Sequence, residues 1–268
     1  MKRFFIFIFI ISSGFLSVEA QSVFQLSILQ QSIEPLYRKP SKKELKAVAP
    51  KPELFEKYAE FLRQPNTGLT KLINDSGCAD NAKIVVATDE CLKYTMPGAG
   101  SSYSFRVENY RIPRLADLIF TENSFQASGI LLHGIFVNIG DVRLDKVTLQ
   151  TVGLKYLLDF QPEVDYAKAG EIDRQLSKGI RKDKFLYRRG LNAVENTTFV
   201  LRSIAYDGKY LRAAGGVIYN EFSFDKRRDV IVAFRIVDKD DDGNVTILWK
   251  ELANKKSPRI KRSQNGKQ

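Results

Sequence analysis

The chain has 268 residues, 44% of them hydrophobic and 11% aromatic, a composition that excludes an intrinsically disordered protein. With 42 Lys and Arg against 31 Asp and Glu, the formal charge is +11 at pH 7. Two cysteines and one histidine exclude a disulfide-dense scaffold and a multi-histidine metal site.

Residues 1–20 have the layout of a secretory signal peptide. Lys2 and Arg3 precede the uncharged apolar run Phe4 to Leu16, and Val18-Glu19-Ala20 offers a small-residue cleavage site before Gln21. The run is shorter than the roughly 20 residues a bilayer span needs. The expectation is a mature chain that begins near Gln21, has no transmembrane segment, and is secreted or periplasmic.

Residues 21–51 read as a basic N-terminal arm punctuated by Pro35, Pro40 and Pro50, with a short helix over 23–32. Pro52 to Arg63 predicts a helix: Pro52 suits its first turn, and Leu54, Tyr58, Phe61 and Leu62 share a face. Leu69 to Asn74 reads as one more helical turn. Cys78 and Cys91 are expected to pair in an oxidising compartment, closing a loop worth about 3 kcal/mol in the chain-entropy picture.

Strand signals dominate from Lys83. Ile84 to Ala87 is a short apolar run, Met96 to Gly100 a turn, and Tyr103 to Val107 alternates. Gly129 to Ile139 reads as a buried strand. Val142–Leu144 and Val147–Leu149 alternate with a slip between them, and Leu154, Tyr156, Leu158 and Phe160 recur at period two, predicting a strand. Pro162 to Ser177 predicts a helix closed by Gly179, weakened at Gly170 by about 1 kcal/mol. A basic stretch, Arg181 to Arg189, follows. Thr198 to Tyr206 predicts a strand ending at Asp207-Gly208, and Val230–Val237 and Val245–Leu252 predict a hairpin around a long acidic turn.

These elements predict a mainly β protein: an antiparallel sandwich or partly open barrel with one or two packed helices, in one domain over 52–254. Residues 255–268 read as a disordered basic tail. The charges of 52–254 sum to zero, so the basicity lives in the arm and tail. Specific nucleic-acid binding is thereby disfavoured, since a basic stripe on the folded body is its footprint.

Asp238, Asp240 and Asp242 with Gly243 match the first half of a calcium loop, D-x-D-x-D-G. The twelfth position is Trp249 instead of a bidentate glutamate, and solvated hairpin tips are rich in Asp, Gly and Asn. The expectation is at most a weak calcium site on these three aspartates, to which Glu251 could add only by a departure from the usual loop backbone. His133 reads as a core histidine bonded to a neighbour, or alternatively as a general base. No G-x-S-x-G elbow presents a serine, and Gly98 to Ser102 matches neither a P-loop nor a dinucleotide fingerprint. Asp159, Glu163 and Asp165 at a helix start read as capping acids, or as the carboxylates of a glycosidase. Tyrosines at strand spacing, Tyr103, Tyr110, Tyr156, Tyr187, Tyr206, Tyr210 and Tyr219, read as packed residues. Asn196 and Asn244 head N-glycosylation patterns.

Together these features point to an exported, non-catalytic binding or structural protein whose partner is a protein or glycan at the cell envelope. The alternative is a secreted carboxylate-dependent hydrolase acting on a polysaccharide.

Overall fold

The computed structural model describes residues 37–75, 96–214 and 217–261. The leader, the front of the arm and both cysteines lie outside these residues, so the Cys78–Cys91 pairing does too.

The arm residues that are described pack onto the body. Tyr37 is buried and stacks on Phe224, ring centroids 4.3 Å apart, and its hydroxyl donates to Glu221 Oε1 at 2.9 Å. Ser41 and Glu44 form a reciprocal cap that starts α1 (Lys42–Ala47). The predicted helix over 52–63 is two short ones, α2 (Pro52–Lys57) and α3 (Ala59–Leu62), separated at Tyr58. The expected helical turn over 69–74 is instead strand β1 (Thr67–Leu72). Thr70 and Leu72 alternate inward there, and all six residues pair with a later strand.

After the tight turn at Pro97–Gly100 come β2 (Ser102–Ser104), β3 (Asn109–Tyr110), β4 (Leu118–Thr121) and β5 (Ser124–Ala127). The buried strand expected over 129–139 is β6 (Leu132–Asn138). The alternation over 142–149 does not make a strand; a short 3-10 turn, Leu144–Lys146, occupies it. The strand predicted over 154–160 is a helix, α4 (Lys155–Asp159). Leu157 is its fully buried residue and Leu154, three before it at the N-cap, is fully buried too, a helical spacing that five residues are too few to reveal by period.

Helix α5 (Tyr166–Lys178) is the longest in the described chain. Asp165 caps it by accepting from Ala167 N at 3.0 Å and Lys168 N at 3.1 Å, and Gly179 ends it at φ 94°, where a side chain would be strained. A hairpin follows, β7 (Ile180–Lys182) and β8 (Phe185–Tyr187), then β9 (Gly190–Asn192) and the wholly buried β10 (Thr198–Ala205). A second small hairpin, β11 (Leu211–Ala214) and β12 (Val217–Asn220), leads to the long hairpin β13 (Arg228–Lys239) and β14 (Val245–Lys256). Packed structure continues past residue 254. Arg259 bridges Asp207 and Lys261 bridges Asp165.

The protein is mainly β, and its sheets are antiparallel and do not close into a barrel. The central sheet runs β1-β14-β13-β10-β6, and a second five-stranded sheet runs β3-β2-β4-β5-β9. Between them lies an aromatic core of Phe120, Phe125, Phe136, Phe199 and Phe234, all fully buried, each contributing about 1.5–3 kcal/mol by burial. Phe125 meets Phe234 edge to face at 5.0 Å. The opposite face of the central sheet, with Ile135, Val137, Val200 and Ile231, packs on Leu157 of α4 and Leu176 of α5. The central sheet is therefore the middle of three layers. That position explains why β10 and β13 read as continuous apolar runs instead of alternating ones.

A charged network ties the layers at one end. Arg106 donates to Asp117 Oδ1 at 2.7 Å and to Asp225 Oδ2 at 2.6 Å, with no side-chain exposure on any of the three. Arg227 adds a second bond to Asp225 at 2.8 Å and lies 4.0 Å above the Phe222 ring. Burial would raise the Asp225 carboxyl, but the two guanidiniums outweigh it and hold it below the usual carboxylate range.

Candidate functional site

The acidic turn does not gather its carboxylates. Asp238 Oδ1 accepts from Lys51 Nζ at 2.9 Å, and Asp240 Oδ2 pairs with Lys71 Nζ at 2.8 Å. Asp240 Oδ1 accepts from Asn244 N at 2.9 Å, and Gly243 at φ 79° completes the reversal. Asp242 is exposed beside them. The Asp-rich composition thus serves a turn in which Asp240 supplies the cap. Among the described residues no group of three or more His, Cys, Asp or Glu is placed to hold a metal ion. Glu251 is engaged elsewhere, accepting from Asn254 Nδ2 at 2.8 Å. Trp249 is buried and donates to Thr70 Oγ1 at 3.0 Å.

The other acids singled out by sequence also have local duties. Asp165 caps α5, Glu163 accepts from Asp165 N at 2.9 Å, and Asp159 pairs with Lys155 on the surface. Of the tyrosines, Tyr103, Tyr110, Tyr187 and Tyr206 are buried in the body. The segment Gly98 to Ser102 is a buried turn in which Ser102 donates to the Arg111 carbonyl at 2.5 Å. Asn196 is exposed, whereas Asn244 is buried in the hairpin turn.

His133 stands at the start of β6, on the same face as Ile135 and Val137, and is 4% exposed. Its Nε2 lies 2.9 Å from the Ala169 carbonyl, which can only accept, so Nε2 carries the proton. Nδ1 then accepts from the Tyr206 hydroxyl at 3.1 Å. Burial pushes the imidazole below its ordinary pKa, and the partly opposing charge of Asp173 does not restore it. At neutral pH the ring is neutral and both nitrogens are occupied.

His133 and Tyr206 form one wall of a cavity of about 480 Å³; α5 forms the other through Gly170, Asp173 and Arg174. This volume falls within the range of about 300–1,000 Å³ found for small-molecule sites. Asp173 Oδ2 accepts from Arg189 Nη1 at 2.6 Å, while its Oδ1 is buried without a hydrogen-bond partner. A buried oxygen left in that state costs about 1–3 kcal/mol. An added Cβ at Gly170 would meet nothing nearer than Arg174 Nη1 at 4.0 Å, so the glycine leaves the cavity open.

Arg189 also lines a second, more polar hollow of about 390 Å³, with Ser124, Gln126, Ser177, Arg188 and Asn192. The two concavities thus share one guanidinium, fixed by Asp173 on one side and donating to the Ala127 carbonyl at 3.4 Å on the other. A third hollow of about 510 Å³ lies under α2 and α3 over Leu144 and Leu248. Two of its guanidiniums are already matched, Arg143 to Asp145 and Arg235 to Asp141, and it contains no buried orphan polar atom.

Sequence reasoning placed His133 correctly in a packed strand but missed Tyr206, Asp173 and Arg189 as its surroundings. They come from three other segments, α5, the link between β8 and β9, and the end of β10, and only the topology brings them together. Spacing alone could have marked Asp173 as falling three residues before the buried Leu176 of the predicted helix. Among the described residues no helix is long and apolar enough to cross a membrane. No protein-family model matches the chain, and neither a curated protein nor a solved structure does.

Proposed function

We propose that the chain is an exported, non-catalytic binding protein that takes a hydroxyl-rich ligand, such as a stretch of envelope or extracellular glycan, in the hollows flanking Arg189. The observation that carries this reading is the Asp173 carboxylate. One oxygen is held by Arg189, and the other is a buried acceptor with no donor at the edge of an open cavity. This oxygen has no solvent exposure in the unliganded fold, so a ligand hydroxyl that supplies its missing donor enters with a small shift of the α5 wall. The leader-like first 20 residues support export.

The hydrolase alternative finds less support in the geometry. The one histidine has both ring nitrogens engaged, and Asp173 is committed to an ion pair. Glu171, the other acid on this wall, is two residues away on the same helix, a spacing at which side chains diverge. Glycoside hydrolysis asks for two carboxyl groups facing each other across the scissile bond.

The test is a polysaccharide array probed with the purified chain and with Gly170→Leu, which fills the cavity from a good helix-forming residue. Binding that is saturable in the native chain and lost in Gly170→Leu supports the proposal. Release of reducing ends from any bound polysaccharide overturns it, as does binding that Gly170→Leu leaves unchanged.

A further inference from the structure

The folded body is neutral, yet its basic residues are not evenly spread. Residues 174–189 contain seven Lys or Arg and one acid, so the remainder of the 52–254 body carries an excess of six acids. These basic residues belong to the end of α5 and to the β7–β8 hairpin. Arg181, Lys182, Lys184 and Arg188 are exposed, and so are Arg174 and Lys178 just before them. None of the six forms an ion pair among the described residues, whereas Arg189 does.

The hairpin is rigidly placed. Ile180 pairs with Tyr187, both packed on the helical side of the central sheet, and Tyr187 donates to the Gly153 carbonyl at 2.7 Å. Arg188 exchanges backbone hydrogen bonds with Phe136 of β6 at 2.9 and 3.2 Å, which fixes its Cα at the mouth of the polar hollow. Within that hollow Ser124, Gln126, Ser177 and Asn192 are short neutral hydrogen-bonding groups, and Ser124 Oγ already donates to Asn192 Oδ1 at 3.2 Å. The lining contains no aromatic ring.

We infer that this face binds an acidic polysaccharide: neutral side chains in the hollow take sugar hydroxyls, and Arg188 with the hairpin cations takes carboxylate or sulfate groups. The inference rests on the glycan-binding reading above and specifies the charge of the ligand. Guanidinium groups match planar oxyanions through paired N–H donors, and exposed cations with no ion-pair partner among the described residues keep their donors free for a polyanion. Single-stranded nucleic acid is disfavoured because its binding relies on rings for base stacking, which this hollow lacks. A membrane surface is disfavoured because the apolar side chains of the hairpin, Phe185 and Leu186, are half-buried against the body instead of projecting for insertion between lipids.

The experiment measures affinity of the full chain for polygalacturonate and chondroitin sulfate beside neutral dextran, a single-stranded DNA 20-mer and phosphatidylglycerol vesicles. Three variants accompany the native chain. Arg181→Glu/Lys182→Glu/Lys184→Glu reverses the hairpin. Lys42→Glu/Lys43→Glu/Lys46→Glu makes the same change of charge in the arm. Gln126→Ala/Asn192→Ala empties the hollow of its amides. Retained Trp249 emission certifies folding of each.

The expected result is saturable binding to an acidic polysaccharide that weakens with salt. It falls at least about tenfold in the hairpin variant, less than about twofold in the arm variant, and about tenfold in the amide variant. Equal losses in the hairpin and arm variants would reduce the effect to net charge and overturn the inference. DNA or vesicles bound as tightly as the polysaccharide would do the same. Dextran bound as tightly as polygalacturonate would overturn the acidic specificity while leaving a glycan-binding protein. Release of reducing ends would instead strike the non-catalytic reading beneath it.

Discussion

His133 and Tyr206 meet edge to face, ring centroids 5.1 Å apart and planes at 88°, with the phenol hydroxyl on Nδ1 of the imidazole. Ala169 of α5 holds the other nitrogen at 2.9 Å. The sole histidine is therefore a clamp between the central sheet and the helix that walls the cavity.

That clamp has a pH signature. The folded state holds His133 below its ordinary pKa near 6.5, so the unfolded chain binds its proton first as pH falls. The contribution is intact above pH 6.5 and is lost progressively as pH drops toward the folded value, with a slope of at most about 1.4 kcal/mol per pH unit. Urea unfolding at pH 7 and pH 5 should show a larger loss for the native chain than for His133→Gln. Identical losses in the two would remove His133 from the account.

Arg106 should be among the least replaceable side chains. Arg106→Leu leaves Asp117 and Asp225 buried with much of their compensation gone, a change expected to cost about 3–5 kcal/mol. Asp117 would keep Ser104 and Ser203, which both donate to it, but hydroxyls do not replace a guanidinium. A midpoint in urea close to that of the native chain would contradict this.

Gly68 faces the Trp249 indole so closely that an added Cβ would lie 2.4 Å from the ring. Gly68→Ala must displace the indole or β1, at about 1–3 kcal/mol. The near-ultraviolet circular dichroism of Trp249 should change along with stability; an unaltered spectrum would show that the strand yields without disturbing the ring.

Calcium up to millimolar concentration should leave Trp249 emission and the unfolding midpoint unchanged, because Asp238 and Asp240 already neutralise Lys51 and Lys71. Lys51→Ala/Lys71→Ala removes both ammonium partners while Asp240 keeps its bonds from Asn244, so a calcium response confined to that variant would identify the lysines as what blocks the turn.

Elements that bury two faces were the most legible in the sequence. β10 and β13 are long and rich in Val, Ile and Phe, β14 opens on the buried run Val245 to Trp249, and the acidic turn between β13 and β14 is local chemistry around Asp240. Helix α5 carried both its signals, Asp165 before it and Gly179 after it. α4 was misread because Leu154, Tyr156, Leu158 and Phe160 alternate over too few residues to separate period two from period 3.6. β1 was misread because Thr-Gly-Leu-Thr states little by itself; its partner β14 lies about 180 residues away and decides its conformation. The candidate site was illegible for the same reason. His133, Asp173, Arg189 and Tyr206 are each unremarkable in their own segments and become neighbours only through tertiary packing.

Because β10 lies inside the central sheet and is covered on both sides, it has no row of side chains free to vary. In an ordinary two-layer sandwich, substitutions along a strand are tolerated at every second site. Along Thr198 to Ala205 that rhythm should vanish, and drift between related sequences should collect in the loops and the outer hairpins, where the molecule meets its surroundings.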